Sequence, residues 1–488
     1  MKRFTALFIS CLILMPMTFI GCSTVSGSSN CPCNTPTGCY SVSDTPNCPC
    51  ITPTGSAEAM INYEATITEA ASNKVINVFS PTEEVPRMID RYKELHPDFP
   101  YEIKEFTFAT MDGGFHAALD EYLAKTDADT PDIYCIESMN VMKYSQGNSA
   151  KYAAPYKDLG IDVDHLVKEA DIARYVIDMG TNPEGEIVSL AYMGTGGAFI
   201  YRRSIAKNVW GTDEPETIKD KIGPGWDKFF EAAADLKAKG YGIVSGDGDI
   251  WHPIENSAER PWVVNGKLYI DPRREEFLDY SKQLKDKGYT NDTLDWTEEW
   301  YNDMKGTGKK EILGFFGPSW LVNYVLMGNS GGNEIGEGTY GDWAVCEPPV
   351  GFFWGGTWIY VNKNSKHKEA ISDIIKWITL DCSETGLQYS WANGTYNRDN
   401  KILEAVTSGT VMRNSVGILD FLNYQNMFDV FDKATKLATG NNRTQYDESI
   451  NYYWRDQVRE YVAGSKTREQ AIADFKQKVR ENLDIVGE

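Results

Sequence analysis

The chain has 488 residues, with 48 basic against 70 acidic side chains and a formal net charge of −22. That acidic surplus excludes nucleic acid and anionic lipid surfaces as partners, because both repel a negative surface. Single hydrophobic cores stop growing near 250–300 residues, so the length predicts two lobes.

In chain order, Lys2 and Arg3 make a positive start. Residues 4–20 are apolar except for Thr5, Ser10, Pro16 and Thr18, and Gly21-Cys22-Ser23 follows. This pattern predicts a secretory signal over 1–21, too short and wrongly flanked for a spanning helix. The Cys directly after Gly21 resembles a bacterial lipobox, with Phe19 where Leu is usual. The resemblance implies a diacylglyceryl lipid on Cys22 and a chain held on the extracellular face of the cell membrane; a plain secretory signal with an incidental Cys is the alternative.

Residues 22–72 read as a disordered tether rich in Cys, Pro and Thr. Asn30-Cys31-Pro32-Cys33-Asn34-Thr35-Pro36-Thr37-Gly38 returns 17 residues later as Asn47-Cys48-Pro49-Cys50-Ile51-Thr52-Pro53-Thr54-Gly55. Such a unit is too short and polar for a solenoid. The Cys-Pro-Cys pairs lack the spacing and the companion His of a zinc site, so free or bridged thiols are expected, with a bound metal the alternative. Only Cys135, Cys346 and Cys382 lie in the body, too few for a disulfide scaffold.

Val75-Ile76-Asn77-Val78-Phe79 predicts a buried strand, and Ser80-Pro81-Thr82-Glu83 carries helix-start residues ahead of Val85, Met88, Ile89 and Tyr92 at helical spacing. Pro131-Asp132-Ile133-Tyr134-Cys135-Ile136 is a second strand, ending at Glu137-Ser138. Strand, loop, helix, strand is the order of an open α/β sheet. Further strands are expected over 187–190 and 198–201. A helix should follow Pro224-Gly225 with Trp226, Phe229, Phe230, Ala233 and Leu236 on one face, and another should carry Ile371, Ile374, Ile375 and Ile378. Thr467 and Gln470 predict a capped C-terminal helix with Ile472, Phe475, Val479 and Leu483.

Catalytic signals are thin. The five histidines show no metal-ligand spacing, so neither metal nor cofactor is expected. Gly328-Asn329-Ser330-Gly331-Gly332 fits a nucleophile elbow in letters, but no strand precedes it, and it reads as a turn. Gly306-Thr307-Gly308-Lys309-Lys310 lacks the first half of a phosphate loop. Seventy acids leave room for a glycosidase carboxylate pair, yet no local signature marks one. Aromatic placement is more informative. Trp320, Trp354, Trp358 and Trp391 lie beside Gly, Ser, Asn or Thr; Trp251 and His252 follow Gly246-Asp247-Gly248-Asp249; Trp296 and Trp300 sit among acids. An indole in a polar loop offers an apolar face and one donor, suited to stacking on a sugar ring.

Gly314-Phe315-Phe316-Gly317-Pro318-Ser319-Trp320, Gly341-Asp342-Trp343-Ala344-Val345, Gly355-Gly356-Thr357-Trp358-Ile359-Tyr360-Val361 and Ser365-Lys366-His367-Lys368-Glu369-Ala370 resemble the extracellular solute-binding proteins (family 1) of ABC importers, in the maltose-binding-protein-like branch. The resemblance runs from about residue 73 to 483. It implies an α/β, two-lobed, type II periplasmic-binding-protein-like clamp, each lobe a mixed sheet flanked by helices, with a hinge between. The implied lobes are 73–186 with 350–395, and 187–349 with 396–488. Crossings are implied near 183–193, 347–357 and 393–401. A carbohydrate would bind between the lobes, without catalysis, for delivery to an ABC permease; the receptor would be a monomer. Trp320 takes the place of the family's stacking Trp, with Glu83, Glu137, Thr195, Trp251, Trp354 and Trp391 facing the cleft and the two glutamates accepting hydroxyl bonds. A surface glycoside hydrolase, or an adhesin or sensor that does not transport, is the competing reading.

Overall fold

The structure is a computed structural model that describes residues 74–107, 114–396 and 403–485. The expected signal and tether, Cys22 included, lie outside them. Ile76–Glu488 is one compact unit.

Eight strands build the two larger sheets among the described residues: β1 (Val75–Ser80), β2 (Glu102–Thr107), β3 (Ile133–Glu137), β4 (Ser189–Ala191), β5 (Ala198–Arg202), β6 (Gly314–Gly317), β7 (Trp343–Cys346) and β8 (Thr357–Val361). The first sheet has the order β2-β1-β3-β8-β4 and the second β6-β5-β7. β1 and β3 run parallel, with Val78 opposite Ile133. β8 returns antiparallel to β3, with Thr357 opposite Glu137 and Val361 opposite Ile133. Its Trp358-Ile359-Tyr360-Val361 run is wholly buried, as a central strand with both faces covered requires. The second sheet is antiparallel throughout.

The helices follow their apolar spacing. Helix α1 (Glu84–Leu95) buries Val85, Met88, Ile89 and Tyr92. Helix α2 (Trp226–Ala238) buries Trp226, Phe229, Ala233 and Leu236, while Phe230 is half-buried. Helices α3 (Gly248–Ser257) and α4 (Glu298–Met304) also flank the second sheet's region. In α5 (Lys368–Thr379) all four isoleucines of the expected stripe are buried. Helix α6 (Leu387–Ala392) follows it, and α7 (Asp447–Val462) and α8 (Arg468–Asn482) close the chain. Helix α8 opens on the expected capping box. The Gln470 amide donates to Thr467 Oγ1 at 3.2 Å, and the Thr467 amide donates to Gln470 Oε1 at 2.9 Å.

One boundary moves. The resemblance places residues 187–191 in the second lobe, but β4 belongs to the first sheet, where Ala191, Leu190 and Ser189 face Trp358, Ile359 and Tyr360. Leu190 is fully buried there, and that burial fixes the strand to β8. The first change of sheet therefore falls between Ala191 and Ala198. Three stretches run side by side through this region: the Gly194 amide donates to Ala405 O at 2.8 Å, Thr407 to Tyr192 O at 3.0 Å, Trp354 to Thr195 O at 3.0 Å and Gly197 to Phe352 O at 2.9 Å. Glycine is required here by proximity. A Cβ on Gly194 would run into the Val406 carbonyl, and one on Gly197 into the Phe352 ring. Part of the third expected crossing, 397–401, lies outside the described residues.

Candidate functional site

Strand ends and crossing segments meet around three half-buried tryptophans. Trp320 follows β6, Trp354 sits on the crossing before β8, and Trp296 lies just ahead of α4. Trp320 Nε1 donates to Trp354 O at 3.0 Å. The two rings meet edge to face at 4.7 Å, and Trp296 lies parallel to Trp320 at 6.2 Å, 9° between planes. His252 stacks on Trp354 at 4.4 Å. Ring pairs of this kind hold one another in place beyond what burial alone supplies. Gly355 beside the Trp320 ring sits at φ +80°, a backbone conformation that favours glycine.

Carboxylates edge this wall. Glu137, at the end of β3, is half-buried, and the Ser138 amide beside it donates to Gly356 O at 3.0 Å. Burial, and then the charge of Glu448 on α7, raise the Glu137 carboxyl above its ordinary range. Asp295, next to Trp296, is opposed by burial but held low by Arg455, whose Nη2 donates to Asp295 Oδ1 at 3.0 Å. The Asn148 amide donates to Gln445 Oε1 at 3.0 Å, which joins a segment of the first sheet's region to the one that leads into α7.

A second polar group lies beside the crossing strands. Glu84 opens α1, and burial raises its carboxyl, with the Tyr192 hydroxyl facing it and acting the other way. Tyr192 meets Trp391 of α6 edge to face at 5.7 Å, and Trp391 meets Tyr396 at 5.0 Å. Trp391 is 8% exposed, and its Nε1 has no partner among the described residues.

The other expected residues are placed differently. Trp251 is 2% exposed and packs on Phe277 at 4.9 Å, inside the core of the second lobe. It lies on α3, not in a loop, and the burial stripe of that helix carries it inward. Thr195 is wholly buried. Its hydroxyl donates to Gly355 O at 3.0 Å and meets Tyr175 Oη at 3.0 Å, so it joins two crossing stretches. Glu83 is exposed and pairs with Arg87 at 2.5 Å one turn into α1; its neighbour Glu84 is the inward acid. Ser330 Oγ donates to the carbonyls of Met327 at 2.9 Å and Gly332 at 3.0 Å, a turn's use of a hydroxyl. Among the described residues no cluster of three or more potential metal ligands occurs, and no helix is long and apolar enough to cross a membrane.

Residues 80–381 match the bacterial extracellular solute-binding protein family. The chain belongs to that family. No curated protein matches it. Among solved structures, an extracellular solute-binding protein family 1 is similar at a TM-score of 0.68 and 16% identity, covering 83% of this chain and 99% of that one. The galacto-N-biose-/lacto-N-biose I-binding protein of an ABC transporter from Bifidobacterium longum, in complex with lacto-N-biose, is similar at 0.59 and 15%, covering 84% and 96%. The sugar-binding protein MalE from Xanthomonas citri is similar at 0.59 and 14%, covering 83% and 96%. At such identities the likeness establishes the two-lobed maltose-binding-protein-like fold of this solute-binding protein.

Sequence reasoning left Trp296, His252, Glu84, Tyr192, Asp295, Arg455 and Glu448 out of the site. Trp296 had one readable signal, an indole among acids in a polar run. Its backbone, at φ 65°, is a conformation that a bulky side chain rarely adopts and that clusters at functional sites.

Proposed function

We propose that this solute-binding protein captures a carbohydrate against the Trp296–Trp320–Trp354 wall, between the 73–191/350–395 and 192–349/396–488 lobes, and delivers it unchanged to an ABC permease. Trp320 and Trp354 stack on a sugar ring, and Glu137 accepts hydroxyl bonds at the ring's edge. Trp391 supplies a donor farther along the crossing strands. The receptor acts as a monomer, held on the extracellular face by a lipid on Cys22 and spaced from the membrane by residues 22–72. Two changes follow from side-chain placement: Glu84 takes the role first given to Glu83, and Trp251 and Thr195 support the site from behind.

The observation that carries the reading is the wall itself: three half-buried indoles and a histidine, brought together from a strand end, a crossing segment, a helix and the turn ahead of another, and edged by carboxylates. Three indoles left half-exposed together are costly to a core and useful to a ligand with apolar ring faces and hydroxyl edges. The sugars named with similar solved structures, lacto-N-biose and β-1,6-galactobiose among them, agree in chemistry. Titration of tryptophan emission against monosaccharides, disaccharides, amino acids and peptides tests it. A saturable change with a sugar, and recovery of that sugar intact, is the expected result. A response to amino acids or peptides alone overturns the carbohydrate reading, and release of a cleaved sugar restores the glycoside hydrolase.

A further inference from the structure

His252 has two ring nitrogens, and the protein engages one of them. Nδ1 lies 3.4 Å from Glu255 Oε2, one turn farther along α3. Glu255 is 4% exposed, and donors crowd its other oxygen: Asn451 Nδ2 of α7 bonds it at 2.5 Å, and the Arg443 guanidinium pairs with it. Asn451 cannot present its carbonyl instead, because Trp262 Nε1 donates to its Oδ1 at 2.7 Å. The chain of bonds therefore runs one way, from indole to amide to carboxylate. Burial opposes the charge on Glu255, but Arg443 and then His252 hold the carboxyl well below its ordinary range. An ionised carboxylate only accepts, so the proton between Glu255 and His252 sits on Nδ1.

The ring is also fixed in place. It lies on Trp354 with 25° between planes. Below it, Asn256 Nδ2 donates to His252 O at 2.8 Å and to Phe353 O at 3.3 Å, and the Phe353 amide returns to Asn256 Oδ1 at 3.4 Å. Helix α3 and the segment carrying Trp354 are thus braced as one piece. With Nδ1 turned to Glu255, Nε2 points from the opposite edge of the ring. It has no partner among the described residues, and the side chain is 21% exposed. The charged groups that face the imidazole are Glu255 from α3, Arg455 from α7 and Asp295 from the turn ahead of α4, with Arg443 behind Glu255. Burial comes first and lowers the imidazole below its ordinary range, while Glu255 acts the other way. A neutral ring with its proton on Nδ1 carries a lone pair on Nε2.

We propose that His252 reads the captured sugar as a hydrogen-bond acceptor, its Nε2 lone pair taking the hydrogen of a hydroxyl on the ring that lies against Trp354. This rests on the carbohydrate reading and adds a polarity to it: at this edge the ligand must donate, so a sugar methylated or deoxygenated there binds about tenfold more weakly. Protonation of the imidazole would put a hydrogen on Nε2 and abolish the acceptor. Affinity is therefore full above the pKa of His252 and falls as pH drops through it, by about tenfold for each pH unit below.

The first arm of the test needs no ligand. In the full chain carrying Cys22→Ser, nitrogen-15 NMR of the five histidine rings, with His252 assigned by its loss in His252→Gln, should find Nδ1 protonated and Nε2 bare at about pH 7.5. In the second arm, the sugar that saturates the tryptophan signal, from the same panel with lacto-N-biose and β-1,6-galactobiose included, should move the Nε2 resonance towards that of a nitrogen accepting a hydrogen bond. Its affinity should fall with pH below the imidazole pKa in the parent chain and stay level in His252→Gln, whose side-chain carbonyl accepts at any pH. A proton on Nε2 in the free protein, a saturating sugar that leaves Nε2 unmoved, or the same fall in His252→Gln each overturns the proposal and leaves the carbohydrate reading standing. A tryptophan response to amino acids or peptides alone overturns both.

Discussion

Trp320 and Trp251 look alike in the sequence, and the structure parts them. Each follows a short run containing glycine and polar residues, Gly317-Pro318-Ser319 in one case and Gly246-Asp247-Gly248-Asp249 in the other. Trp320 leaves the end of a strand and stays half-buried, its indole nitrogen bonded to a crossing segment. Trp251 lies in α3 between the buried Ile250 and Ile254. The Gly-Asp run that reads as a loop becomes a tight helix start. Asp249 Oδ2 accepts the amides of Ser245 at 2.9 Å and Gly246 at 3.0 Å, and Oδ1 takes Trp300 Nε1 at 3.1 Å. Polar context marks a backbone that turns; which way the next side chain points depends on the element that follows.

That contrast is most easily broken at Trp251. Trp251→Ala should destabilise the second lobe by about 3–5 kcal/mol, the range for emptying a large aromatic from a core, and leave the affinity of the folded fraction unchanged. Urea denaturation with a parallel ligand titration measures both. Lost affinity at unchanged stability would return Trp251 to the cleft. Trp320→Ala should do the reverse: affinity for the captured sugar drops about 30-fold, about 2 kcal/mol, while the urea midpoint hardly moves. A shared loss of stability would make the wall a piece of core.

Thr195 tests the crossing strands between these extremes. Its hydroxyl joins Tyr175 to Gly355 O, so Thr195→Val leaves two buried polar groups without that partner. A loss of about 1.5 kcal/mol is expected from unpaired buried groups, with any affinity change following from stability, not from lost ligand contact. A large affinity loss at full stability would mean the hydroxyl reaches the ligand.

Elements were legible where periodicity was strong: the four isoleucines of α5, the capping box of α8, and the buried runs of β1, β3 and β5 all lie where spacing and caps placed them. The two-lobed clamp was legible through the order of its Gly-Trp segments. Of the proposed site, what was legible is the half-buried placement of Trp320, Trp354 and Glu137, where backbone position decides exposure. It was not legible where one helical step separates outward from inward, as between Glu83 and Glu84, nor where distant segments meet. His252 on Trp354 and Arg455 on Asp295 are contacts between residues 102 and 160 positions apart, and no local pattern encodes them. β4 was misplaced because three residues, Ser-Leu-Ala, carry too little pattern to choose a sheet.

The finest test separates what Trp296 contributes as a ring from what it costs as a backbone. Its φ of 65° is a conformation in which a side-chain-bearing residue is disfavoured by about 1 kcal/mol and glycine is not. Trp296→Ala and Trp296→Gly both remove the ring, so both should weaken sugar binding to the same degree. They should differ in stability, with the glycine form the more stable by about 1 kcal/mol, opposite to the usual order of these two residues in regular structure. Paired urea midpoints measure the difference. If alanine were the more stable form, the segment would have relaxed out of the left-handed conformation, and Trp296 would be held there by its ring contacts with Trp320 and Trp354 instead of by the chain around it.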